Sequence, residues 1–83
     1  MMEPTVSSIL ITTQCNCKDA DARSDVISMF EAIILATSCT RSNIVFDVAN
    51  ECASCTFYVD HHRAEAFCTL INWTNMLTAE IQP

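Results

Sequence analysis

The chain contains no glycine in 83 residues. Every position carries a Cβ, so the left-handed backbone region is costly throughout, and Asn, Asp and Ser are left to build turns and helix ends. The same absence removes the phosphate-cradling P-loop, the dinucleotide fingerprint and the G-x-S-x-G nucleophile elbow. Each of those needs a residue at φ > 0 or a backbone that approaches a ligand closely.

An apolar share of 51% in 9.2 kDa suits one small core and leaves no room for a second domain. Ten Asp and Glu against four Lys and Arg give a formal charge of −6. That field repels phosphate backbones and anionic lipid, so direct nucleic-acid or membrane binding is not expected, and any charged partner should be basic. Mimicry of a nucleic acid stays open. Six cysteines are many for this length. The N-terminus (Met1, Met2, Glu3, Pro4) lacks the basic region and the apolar core of about 7 to 15 residues that mark a signal peptide. A reducing, cytoplasmic setting is therefore expected, with thiols serving as small hydrophobes, metal ligands or redox groups. No apolar run approaches a membrane span.

Val6–Gln14 is rich in β-branched residues and reads as a strand. After a polar turn, Asp21 or Ser24 is placed to cap a helix on which Val26, Ile27, Phe30, Ile33, Ile34 and Thr37 share a face, ending within residues 38–43. Residues 44–48 have strand composition, although Ile44, Val48 and Cys52 also suit a helix. A turn at 50–54 and a strand over 55–60 follow. From an Asp60 cap, Ala64, Phe67, Leu70, Ile71, Thr74 and Leu77 lie on one side of a last helix expected to end near Ala79. The expected fold is α+β, in the order β-α-β-β-α, with two helices on a three-stranded mixed sheet. A three-helix protein is the alternative. Residues 1–5 read as a loose tail and 6–83 as a single domain.

Cys15, Cys17, Cys52 and Cys55 form a C-x-C and a C-x-x-C whose thiolates could close a tetrahedral zinc site. Zinc is the one cofactor considered, and ordinary buried thiols are the plainer reading. Cys39 and Cys68 read as structural. A thioredoxin-like use of Cys52 and Cys55 lacks the helix N-terminus that activates such thiols. Asp60, His61, His62 and Glu65 could support acid–base chemistry, but without a positioned nucleophile they read as a cap with exposed imidazoles, and no enzyme is expected.

Apolar residues on faces that should be wet are more informative. Trp73 and Met76 on the last helix and Leu35 on the first are types and positions suited to contact with another chain. Asp19, Asp21 and Asp25 form an acidic cluster able to steer a basic partner, or simply a favourable helix start. The leading expectation is a small acidic interaction module, a regulator or inhibitor that binds another protein and forms a homo-oligomer. The alternative is a zinc-stabilised binding module.

Overall fold

The structure, a computed structural model, describes residues 6–83. The expected tail at 1–5 lies outside the described residues. The chain runs β1 (Val6–Gln14), α1 (Ala20–Thr37), β2 (Thr40–Arg41), β3 (Val45–Asp47), β4 (Cys52–Asp60), a 3-10 turn (His61–Arg63), α2 (Ala64–Asn72) and β5 (Leu77–Ile81). It is an α+β fold with two helices and a five-stranded sheet, ordered β2-β4-β1-β5 with β3 also paired to β4.

The sheet is wholly antiparallel, not mixed. β1 pairs along its whole length with β4, from Val6 opposite Asp60 to Gln14 opposite Cys52. The parallel neighbour expected from residues 44–48 is instead the short β3, folded back on β4 through the turn after Asp47. In that turn the Asp47 carboxylate accepts from the Asn50 backbone N–H (3.1 Å) and side-chain amide (2.7 Å), which holds its pKa below the ordinary value.

The last helix stops at Asn72, and residues expected to continue it become β5 on the free side of β1. Leu77, Ala79 and Ile81 stand opposite Thr13, Ile11 and Ile9 on one face of the sheet. This period of two competes with the helical spacing of Thr74 and Leu77, and an unpaired central strand settles the contest. Asn75 makes the break at φ 59°, a conformation Asn tolerates.

Among the described residues, positive φ also occurs at Ser38, which ends α1, and at Glu51 before β4. Ser and Asn meet the expectation for a glycine-free chain, but Glu51 does not. Its carbonyl accepts from the Cys15 N–H at 2.9 Å, so the pairing of β1 with β4 holds it there. The helix start also differs. Asp19, rather than Asp21 or Ser24, is the N-cap, and its side chain accepts from the Asp21 N–H at 3.0 Å.

The core lies between one face of the sheet and the helices. Strand alternation brings Ile9 and Ile11 together with Ala53, Cys55, Phe57 and Val59. Phe30 of α1 meets Phe57 edge-on at 5.6 Å between ring centroids, and Phe67 of α2 meets it at 6.1 Å. One β4 ring therefore anchors both helices.

Candidate functional site

Of the residues on the expected apolar face of α1, only Val26 and Phe30 are buried; Ile33 and Ile34 are half-buried and Ile27 is exposed. On α2 the buried stripe is Ala64, Phe67 and Ile71, and Leu70, expected inside, is 61% exposed. Leu35 (83%), Trp73 (82%) and Met76 (66%) are exposed as expected. Met76, however, sits in the turn before β5, while Trp73 is the C-cap of α2.

Between the helices runs an open groove of about 350 Å³ with almost wholly apolar walls. Met29, Ala32, Ile33 and Ala36 of α1 form one side, and Ile71, Thr74, Met76 and Leu77 form the other. Met76 is held from both sides of its backbone. Its N–H donates to Thr74 Oγ1 (3.3 Å), and its carbonyl accepts from Thr13 Oγ1 (2.9 Å). Thr13 is buried, so the bond satisfies a hydroxyl inside the core and fixes the Met76 backbone at the rim. Met76 also borders a more polar hollow on the other face of the sheet, with Thr12, Gln14, Cys52 and Thr78.

The groove has acidic and apolar extensions. Along α1, Asp21, Asp25, Met29, Ala32 and Ala36 follow helical spacings of four, four, three and four residues, so the apolar wall runs into two exposed carboxylates. Asp19 is occupied as the cap, and Arg23 turns to the Cys17 carbonyl (Nη1 to O, 2.5 Å). On α2, Leu70 lies one turn before Thr74 and three residues before Trp73, which extends the apolar surface outward. Leu70 and the α1 wall are the residues sequence reasoning missed. The spacing of Leu70 from Trp73 was the available signal, but membership of a helical face does not say how far a wall reaches.

Leu35 is elsewhere, on the side of α1 near Glu31. Glu31 pairs with Arg41 of β2 and raises the Arg41 pKa. This is the ion pair among the described residues, and it ties α1 to the sheet edge.

The four-thiolate site is not assembled. β1 and β4 do bring Cys15, Cys17 and Cys52 to one end of the sheet, by antiparallel pairing. Cys52 and Cys55 are three residues apart in a strand, and an odd separation places their side chains on opposite faces. Cys55 therefore faces the core and donates to the Ser42 carbonyl at 3.2 Å. Cys17 lies against the carbonyls of Cys52 (3.4 Å), Cys15 (3.5 Å) and Asp47 (3.6 Å). Burial pushes the Cys17 thiol up, helped by the neighbouring Cys15 and Asp47 and opposed by Arg23. Burial likewise raises Cys55 and Cys68. Protonated thiols donate to carbonyls and are poor nucleophiles. All six cysteines are free, and among the described residues no three His, Cys, Asp or Glu side chains are grouped to hold a metal ion.

His61 and His62 are at the other end of β4, about 26 Å along the strand from Cys52. Asp60 caps the turn by accepting from the His62 N–H at 3.1 Å, and His61 Nδ1 lies 2.9 Å from Ser7 Oγ. The pair is exposed, and Asp60 serves the backbone rather than either ring. Among the described residues, no helix is long and apolar enough to cross a membrane. Comparison of the chain with protein-family models, curated proteins and solved structures finds no match.

Proposed function

We propose that the protein is a small acidic interaction module of the cytoplasm, a regulator or inhibitor that works by binding another protein in the groove between α1 and α2. The observation that carries this reading is an apolar groove with exposed Met76 on its rim, with Leu70 and Trp73 exposed at the nearby end of α2 and Asp21 and Asp25 in helical line with its α1 wall. Apolar surface supplies affinity, while carboxylates at one end speed encounter and set orientation. The matching partner is an amphipathic helix with an apolar stripe and basic residues, laid into the groove. The net charge of −6 argues against a nucleic-acid partner. A homo-oligomer is the second reading, favoured by Leu35, which a segment in the groove leaves uncovered.

The test is selection of helical peptides on the wild-type protein, with counter-selection on a Trp73→Ala, Met76→Ala variant. Enriched sequences should carry apolar residues at i, i+3 and i+4 with excess Lys and Arg. They should bind about tenfold or more weakly to the variant, the effect of losing one interface anchor. Light scattering of both proteins reads self-association. Peptides indifferent to the variant, together with two monomeric proteins, would reject both readings.

A further inference from the structure

Among the described residues, β5 is the edge strand on its side of the sheet, with β1 on one flank and no strand on the other. Such an edge exposes N–H and C=O groups able to take up another strand. The backbone groups of an antiparallel strand point alternately to its two neighbours. The Gln82 N–H donates to the Ser8 carbonyl at 2.8 Å, so the even-numbered residues of this segment bond toward β1. Leu77, Ala79 and Ile81 then direct their backbone groups outward.

At the middle of that edge the position is occupied. The Ala79 N–H donates to Asn72 Oδ1 at 2.8 Å, and the Asn72 amide nitrogen donates to the Ala79 carbonyl at 3.2 Å. One side-chain amide thus gives and takes the same pair of bonds that a facing residue of a neighbouring strand would exchange with Ala79. Asn72 is the last residue of α2 and reaches β5 from the helix end.

We infer that Asn72 is an edge guard that closes β5 to strand addition, and that the strand it excludes is β5 of a second copy of this chain. The identity of the excluded strand follows from register. The central outward-facing residue is Ala79, so a two-fold antiparallel pairing sets Ala79 against Ala79 as a hydrogen-bonded pair. Leu77 then falls opposite Ile81 on the face that continues the core, and Thr78 opposite Glu80 on the other. The segment is self-complementary in apolar and polar pattern, places no charge directly opposite a like charge, and lacks the edge Lys or Pro that commonly blocks such pairing. This inference is independent of the groove.

Two measurements test it. In the wild-type protein the Ala79 amide should exchange with solvent about tenfold or more slowly than those of Leu77 and Ile81, which point the same way. Comparable exchange at all three would overturn the guard without any substitution. Second, Asn72→Ala is made in a Leu35→Ala, Trp73→Ala, Met76→Ala background, so that association through Leu35 or through the groove is suppressed. Light scattering should show a concentration-dependent doubling of mass, strengthened by salt because two copies of charge −6 repel. Adding Ala79→Pro removes the outward N–H while leaving the bonds to β1, and should return the protein to monomer. A folded Asn72→Ala protein that stays monomeric at high concentration, or association that survives the proline, overturns the proposal.

Discussion

The two helices divide length and burial in opposite ways. α1 has 18 residues and buries two of them, while α2 has nine and buries three. Both rest on Phe57, but α2 also contributes Asn72 and Ile71 to the junction with β5, whereas α1 is fastened beyond its buried pair by an exposed ion pair to β2. Helix length follows local sequence, here an Asp19 cap, an unbroken run without proline and a Ser38 stop. Burial follows docking geometry. The apolar residues of α1 that exceed what the sheet covers are left facing outward, and Met29, Ala32, Ile33 and Ala36 among them line the groove.

The strongest way to break this contrast is to remove the anchoring rings. Phe30→Ala leaves α1 with Val26 as its single buried side chain, and should cost about 3 to 5 kcal/mol, the usual range for a deleted core ring. In hydrogen exchange its amides should lose protection ahead of the sheet. Phe67→Ala leaves Ile71 and Ala64 in place, so α2 should stay docked and lose stability without separate opening. Equal behaviour of the two helices in exchange would remove the distinction.

A smaller effect sharpens it. Ser38 ends α1 at φ 56°, where a Cβ is unfavourable, while its N–H bonds the Ile34 carbonyl at 2.8 Å. Ser38→Gly should raise stability by up to about 1 kcal/mol in urea denaturation, with an unchanged slope. No gain, or a loss, would mean that the unfolded-state freedom of glycine outweighs the relief of strain.

The smallest concerns pH. α2 carries Cys68, raised by burial above the ordinary value of 9.0, and α1 carries no titrating thiol. As pH climbs past that ordinary value the unfolded chain releases its proton first, so stability falls until the folded-state thiol also ionises. Cys68→Ala should flatten part of that alkaline decline. An unchanged decline would assign it to Cys17 and Cys55, whose thiols are raised in the same direction.

Much of this was readable in residue order. β1 has the bounds its β-branched run implied, and α1 lies where its apolar period placed it. Trp73 and Leu35 are exposed as their positions suggested, whereas Met76 is exposed in a turn rather than on the outer face of a helix. Leu70 was not readable, because the angle at which α2 crosses the sheet decides which margin of an apolar arc is covered. β5 was missed because Leu77 and Ala79 satisfy a helical and an alternating pattern alike. The four cysteines drew attention by spacing, yet a C-x-x-C in a strand presents two faces, whereas in a knuckle turn it converges.

By itself, then, the sequence determined what depends on neighbours a few residues away: the helical and strand periods, the cap at Asp60, the turn formers used in place of glycine, and the acidic balance. Tertiary structure decided which strands meet, that residues 77–81 leave the helix for β1, which thiols face the core, and that Met29, Ala32, Ile33 and Ala36 of α1 join those around Met76 in one groove. The physical reason is range. Side-chain sterics and capping act within a turn of the chain, whereas strand pairing and burial are settled by whichever distant segment satisfies an open backbone edge or covers an apolar face.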